Sequence, residues 1–318
     1  MPRSVSHTGY VFLYVERLLH TCRVTHVAFA VFEPATLNEA LGLLTNEGDA
    51  SAALAGGTDL LLRIRRGTRK YRSVVNIKFV PGLTGLTWDA QRGLTLGALT
   101  TFRTIEQNEH VRRHYLALVE AARVVAGVQL RNLATIGGNI GNASPSADSV
   151  PPLVALGATI EIASATGTRV VPIEACIAGP GRTVLIPGEI FTTISVPAPA
   201  THSGNAFSRF SPRSAMDIGI ASVAASVTLD ADGRCTDCRI ALGAVSPTPL
   251  RGTAAENALR GERITPAIAD AVGELAAAAT TPISDIRGSA PYRRAIVRTL
   301  ATRVVQQAAA RAAMAGAR

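Results

Sequence analysis

Two glycine-rich segments are the parts of this 318-residue chain best suited to hold a ligand. One is Gly56-Gly57-Thr58-Asp59. The other is Thr135-Ile136-Gly137-Gly138-Asn139, continuing through Ile-Gly-Asn-Ala-Ser144 to Pro145. Each follows an apolar stretch and joins bare backbone to short polar side chains. Successive N–H groups in such segments form concave anion sites, because every amide turns partial positive charge outward. Glycine serves where a β-carbon would hold the anion away from the amides. Three glycines and two asparagines in the eleven residues Thr135–Pro145 predict an irregular loop, since glycine is unfavourable inside a helix or strand and asparagine favours turns.

Neither segment is a Gly-x-Gly-x-x-Gly fingerprint, and neither runs into Gly-Lys-Ser/Thr, which excludes the Rossmann and P-loop phosphate sites. A single glycine turn is commonly structural. Two diphosphate-compatible turns in one chain point to a dinucleotide held by a less common fold.

Other chemistry is sparse. The histidines, His7, His20, His26, His110, His114 and His202, lie mostly near the N-terminus or in exposed-looking segments, and no triad suggests itself. Among the cysteines (Cys22, Cys176, Cys235, Cys238) only Cys235-Thr-Asp-Cys238 has ligand-like spacing. No neighbouring His or Cys cluster completes a metal site, so the structural reading is preferred and no metal is assigned. Unclustered cysteines fit a reducing cytosol. The net charge of +9 comes from scattered arginines such as Arg65-Arg66, Arg112-Arg113 and Arg293-Arg294 with few aromatics among them. That distribution argues against nucleic acid and suits an anionic ligand or an acidic partner subunit. Tyr10–Val15 is too short to span a membrane and too interrupted for a signal peptide, so residues 1–26 read as an N-terminal extension.

The elements that position the glycine segments follow from capping and periodicity. Thr36-Leu-Asn-Glu39 reads as a capping box opening a helix over Leu37–Glu47. Ala52–Ala55 reads as a buried strand running into the first glycine segment, with a helix from Leu60 beyond it. Val74–Ile77 and Leu94–Leu96 read as strands, Thr101–Glu109 and Leu116–Val125 as helices. Pro151-Pro152 suits the first turn of a helix through Leu156. Thr159–Ile162, Arg169–Pro172 and Ile190–Pro197 read as strands. Pro197–Gly204 reads as a linker. Beyond it, Ala221–Leu229 and Arg239–Val245 flank an Asp232-Gly233 hairpin turn. Helices from Thr265-Pro266 and over Ala290–Ala313 close the chain. The spacing is too ragged for a doubly wound parallel sheet and indicates an α+β chain in two domains.

Ala55-Gly-Gly-Thr-Asp-Leu60 and Ala134-Thr-Ile-Gly-Gly-Asn-Ile-Gly-Asn-Ala-Ser-Pro-Ser-Ala-Asp-Ser-Val-Pro-Pro152 resemble the two flavin signatures of the FAD-binding (medium) subunit of molybdenum hydroxylases, the family of aerobic carbon monoxide dehydrogenase and xanthine dehydrogenase. The resemblance extends over residues 27–312 and includes Gly188–Pro197, Arg213–Ala225 and Gly243–Arg251. It implies an FAD-binding module of two subdomains, of the vanillyl-alcohol-oxidase (PCMH) type, over residues 27–200, and a small α+β domain over 204–312. It implies FAD contacts by Ala53, Leu54, Ala55, Gly56, Gly57, Thr58, Asp59 and Leu60. In the second signature, Thr135, Ile136, Gly137, Gly138 and Asn139 would wrap the diphosphate through amides and the threonine hydroxyl. Ser144, Asp148, Phe191 and Arg209 fall at further family contact positions. Plainer readings stand beside these: Asp148 as a cap for the Pro151-Pro152 helix, Phe191 as core, Arg209 as a surface charge, Ser144 as a turn residue. The implied role is electron transfer from iron–sulfur clusters through FAD to an acceptor. The [2Fe-2S] clusters and molybdenum cofactor would sit on a small and a large partner subunit in a cytoplasmic dimer of heterotrimers. No residue of this chain is assigned a catalytic role, and no iron–sulfur cluster is expected in it. A free-standing flavin reductase or oxidase, and a structural subunit without flavin, are the alternatives.

Overall fold

A computed structural model describes residues 29–213 and 216–316. The extension read over residues 1–26 lies outside the described residues. The chain opens with β1 (Ala30–Phe32), α1 (Leu37–Glu47), β2 (Ser51–Leu54), α2 (Leu60–Arg65) and β3 (Ser73–Asn76). The three strands form a parallel sheet in the order β1-β3-β2, and the helices supply the crossovers that parallel pairing requires. Thr36 caps α1 by accepting from the Glu39 N–H. The Glu39 carboxylate reaches back to the Ala35 N–H, one residue earlier than a standard box. Ala40, Leu41 and Leu44 of α1 pack with Val75 and Ile77.

The second sheet gathers β4 (Leu86–Asp89), β5 (Gly93–Gly97), β6 (Thr159–Ser164), β7 (Gly167–Pro172) and, after a small ribbon of β8 (Ile177–Gly179) and β9 (Arg182–Thr183), β10 (Ile190–Val196). It is antiparallel in the order β4-β5-β10-β6-β7, so the last strand in sequence is central in space. Between β5 and β6 lie α3 (Phe102–Gln107), α4 (Glu109–His114), α5 (Leu116–Val124), α6 (Val128–Arg131), α7 (Ile136–Gly141) and α8 (Val150–Ala155). Apart from α6, their apolar faces join Leu94, Leu96, Ile160 and Ile194 in the largest core. The single helix expected over Thr101–Glu109 breaks at Asn108, whose side chain caps α4 by accepting from the Val111 N–H. Asparagine is a strong N-cap, and here it outweighs helical continuity.

The remainder is a four-stranded antiparallel meander of β11 (Ser203–Phe210), β12 (Ala221–Leu229), β13 (Cys235–Gly243) and β14 (Leu250–Arg251). It is covered by α9 (Thr253–Leu259), α10 (Pro266–Ala278) and α11 (Ala290–Gly316). The stretch read as a linker ends sooner than expected, because Ser203 and Gly204 already pair with β12. Cys235 and Cys238 are buried in this unit's core, and among the described residues no group of His, Cys, Asp and Glu could hold a metal. No described helix is long and apolar enough to cross a membrane.

The meander is stitched to the first part of the chain through β11. Asn205 accepts from the Ala117 N–H and donates to the His114 carbonyl. The Phe207 N–H donates to Glu120, which also pairs with Arg311 of α11. These bonds fix where the far end of β11, and hence Arg209, comes to rest.

Candidate functional site

The first glycine segment leaves the C-terminal end of β2 and turns into α2. Gly57 takes a positive φ of 78°, which a side chain would strain. The N–H groups of Gly56, Gly57, Thr58 and Asp59 donate to no group among the described residues. Four adjacent free amides at the carboxyl edge of a parallel sheet are suited to an anion. Asp59 stands at the start of α2 without capping it through its side chain.

The second segment differs from its expected form. Ile136–Gly141 is an α-helix, α7, not a loop. Thr135 caps it, its Oγ1 accepting from the Gly138 N–H at 3.1 Å. The amides that were expected to face a diphosphate are already engaged. Ile136 donates to Thr100, Gly137 to Ala98 and Asn139 to Thr135. The Asn139 Oδ1 accepts from Ser149 at 2.7 Å. The glycines serve approach of backbone to backbone. A β-carbon on Gly137 would lie 2.7 Å from the Ala98 carbonyl oxygen, and one on Gly56 would lie 2.1 Å from that of Leu133. The latter contact sets the chain just ahead of the Thr135 cap against the first segment, which it buttresses. Gly141 lies against Phe191, which is buried in the main core.

Asp148 and Arg209 meet although they are remote in sequence. Arg209 Nη1 donates to Asp148 Oδ2 at 2.6 Å, and the side chains are only 5% and 11% exposed. The residue at the N-cap of α8 is Ser149, and Asp148 makes no capping bond, which removes the capping reading. Burial removes the surface-charge reading of Arg209. Burial also pushes the Asp148 carboxyl up to about 7, against the opposing pull of Arg209. Desolvation outweighs attraction, as it commonly does for buried pairs. Arg209 Nη2 is buried with no partner among the described residues. Such a donor is costly unless something else accepts from it. Ser144 bonds to Ser146 in the turn that leads to Asp148.

Residues 27–199 match the family described as the FAD binding domain in molybdopterin dehydrogenase, and residues 206–308 match the CO dehydrogenase flavoprotein C-terminal domain. The chain belongs to the FAD-binding subunits of molybdenum hydroxylases. It is 36% identical to a putative xanthine dehydrogenase FAD-binding subunit of Escherichia coli K12, over 87% of this chain and 95% of that protein. It is 30% identical to the carbon monoxide dehydrogenase medium chain of Afipia carboxidovorans OM5, over 90% and 98% of the two chains. Among solved structures, reconstituted CO dehydrogenase from Oligotropha carboxidovorans superposes with a TM-score of 0.85 at 29% identity, covering 89% of this chain and 98% of that one. The α+β fold is that of this family, and the relatives are subunits of oxidoreductases. FAD is therefore the cofactor against which the site is judged. The free amides of the first segment and the unpartnered Arg209 donor both fit a ligand carrying a diphosphate and several acceptors.

One supporting residue escaped the sequence reading. Arg131, 8% exposed, pairs with Glu106 and donates from Nη1 to the carbonyls of Arg123, Val125 and Ala126. It ties α6 to the end of α5, where Ala126 holds a positive φ of 43°. Only its place four residues before the Thr135 cap could have marked it. Arg131→Ala is expected to destabilise the subunit by about 3 kcal/mol, since it leaves three backbone carbonyls without their shared donor and Glu106 with Arg103 alone. Urea unfolding followed by circular dichroism measures this.

Proposed function

We propose that this chain is the electron-transfer subunit of a cytoplasmic molybdenum hydroxylase, passing electrons from a partner's iron–sulfur clusters to an external acceptor. The chain would join a large molybdenum-cofactor subunit and a small [2Fe-2S] subunit in a dimer of heterotrimers, with residues 27–200 binding FAD and 204–312 forming the second domain. When bound, FAD supplies the redox chemistry. The chain's own residues supply position and charge.

The observation that carries this reading is the row of free amides from Gly56 to Asp59. We assign these amides to the diphosphate, flanked by Ala53, Leu54, Ala55 and Leu60. Thr135 through Asn139 hold that segment in place from behind. Arg209 donates to an acceptor on the ligand while Asp148 orients its guanidinium. Phe191 backs Gly141 and keeps water from that side of the site.

The test is the visible spectrum of the purified chain. A flavin band is expected, retained through gel filtration or restored by added FAD. Its absence after incubation with FAD would sink the reading. A flavin-containing monomer that oxidises NADH unaided, and that ignores co-expressed partner subunits, would favour a free-standing reductase.

A further inference from the structure

A cavity of about 260 Å³ opens where the two parts of the chain meet. Its walls come from the end of α8, β6 and the turn after β7 on one side, and from β13 and β14 on the other. Gly157, Thr159, Glu174, Arg239 and Arg251 line it. It is separate from the candidate flavin site, because β13 runs along α8. A β-carbon on Gly243 would stand 2.7 Å from Pro151 at the start of that helix, next to Asp148 in sequence, whereas Arg239 lies against Gly157 beyond the helix end. The strand from Gly243 back to Arg239 covers about 13 Å.

Arg239 is the side chain that calls for a ligand. Gly157 holds a positive φ of 69°, and its missing β-carbon makes room for the guanidinium. A β-carbon there would stand 2.5 Å from Arg239 Nη1 and 3.0 Å from Cζ. The guanidinium is thereby set half-buried in the cavity wall. The charges around it are engaged with one another. Glu256, 1% exposed, accepts from Arg251 at 2.6 Å and also pairs with Arg260. Asp237 pairs with Arg260 at 3.8 Å, and Glu174 stands 4.0 Å from Arg251. Arg239 shares in none of these pairs, and among the described residues its guanidinium makes no hydrogen bond. A half-buried cation has given up water without gaining an acceptor, which is unfavourable until something else accepts from it.

The lining selects the chemistry of that acceptor. The Arg239 guanidinium is a planar fork suited to two oxygens of one anion. Arg251 adds a second guanidinium, and Thr159 a hydroxyl that makes no bond among the described residues. Glu174 adds the opposite sign. A carboxylate beside two guanidiniums repels a fully ionised oxyanion and accepts a hydrogen bond from one that keeps a proton. The set suits inorganic phosphate, which carries a P–OH at neutral pH, better than sulfate, which has the same shape and no proton. There is room for such an ion with some water, at about 30 Å³ per water molecule.

We propose that this cavity binds inorganic phosphate, with Arg239 and Arg251 holding its oxygens, Thr159 donating to it and Glu174 accepting from its P–OH. The ion draws on both parts of the chain, so its binding ties β13 to α8 and stabilises the subunit by mass action. The site is independent of the electron-transfer reading above.

The experiment is isothermal titration of the FAD-saturated chain with inorganic phosphate, at an ionic strength held constant with chloride. Saturating FAD keeps the Gly56–Asp59 amides from competing for the ion. Saturable phosphate binding is expected, with sulfate at least about tenfold weaker. R239Q is expected to weaken phosphate binding at least about tenfold, the worth of a charged hydrogen bond. Its flavin band and its unfolding midpoint without phosphate should match the parent's, because the guanidinium has no partner to lose. R239K keeps the charge without the fork and should fall between the two. E174Q should narrow the preference for phosphate over sulfate. Absence of saturable binding overturns the proposal, as does unchanged phosphate affinity in R239Q or a parent that binds sulfate as tightly as phosphate. An R239Q chain that unfolds more readily than the parent without phosphate also overturns it, since Arg239 would then serve the fold. A chain that does not hold FAD counts against the flavin reading alone, and the R239Q comparison still decides this site.

Discussion

Gly56→Val is expected to remove FAD retention and to destabilise the subunit by about 3 kcal/mol, the upper range for overpacking a close contact. The reason is steric. A β-carbon at Gly56 would stand 2.1 Å from the Leu133 carbonyl oxygen and 2.9 Å from its carbon. Backbone on both sides leaves no flexible side chain to yield, so the first segment must move away from Leu133 and Ala134. If that strain is relieved by moving the first segment, affinity for FAD falls roughly 100-fold, since about 1.4 kcal/mol corresponds to a factor of ten. Gly138→Val should be milder. Its β-carbon meets the Thr135 hydroxyl at 2.7 Å, a side chain that can turn away with loss of the cap, worth about 1 kcal/mol. Gly42→Ala, inside α1 with nothing within 4 Å, is the control and is expected to stabilise by about 0.5–1 kcal/mol. Isothermal titration of the deflavinated protein with FAD, together with thermal unfolding, distinguishes the three. Normal FAD affinity in Gly56→Val would show that the segments need not touch.

The second large effect concerns the pair between Asp148 and Arg209. Arg209→Ala is expected to cost about 3–5 kcal/mol at pH 8, the range for stranding one member of a buried pair. The loss shrinks below the Asp148 pKa of about 7, where the carboxyl is protonated and no charge is stranded. The sign in the parent protein follows from the same shift. The folded carboxyl holds its proton more tightly than the unfolded one, whose pKa is near 4. Stability from this group is therefore fully present below about pH 4 and falls as pH rises toward 7. Asp148→Asn should flatten that decline, and Arg209→Ala should extend it past pH 7. Unfolding midpoints between pH 4 and 9 test both. The two variants should also part in FAD affinity. Arg209→Ala loses the free Nη2 donor and should bind at least about tenfold more weakly, by the worth of a charged hydrogen bond. Asp148→Asn keeps the free Nη2 donor and loses only the charge that orients it, so it should weaken FAD binding less than Arg209→Ala does at pH 8. Equal weakening in both variants would mean that the pair serves only packing.

Much of the scaffold was legible because its signals are local. The Thr36 and Thr265 caps, the proline-started α8 and the β12–β13 turn at Gly233 depend on residues within one turn of each other. The form of Thr135–Gly141 was misread for the opposite reason. Its composition disfavours a helix, but the Thr135 cap and the bonds from Ile136 and Gly137 to Thr100 and Ala98 supply what the glycines lack. The His114–Trp88–His110 stack was equally hidden. Both imidazoles lie parallel to the indole at 4.8 Å although the tryptophan comes from another element.

By itself the sequence determined the α+β character, the two glycine segments and, through their resemblance, the flavoprotein family. These reside in residue types and short spacings that fix backbone options wherever the segment lies. Only the tertiary structure decided how labour is divided between the segments. It left the amides of Gly56–Asp59 free and consumed those of Ile136–Asn139, the first two through Thr100 and Ala98, distant in sequence, and the next two through Thr135. It also made Asp148 and Arg209 a buried pair, since the energy of a charge depends on what surrounds it, and 61 residues separate the two along the chain.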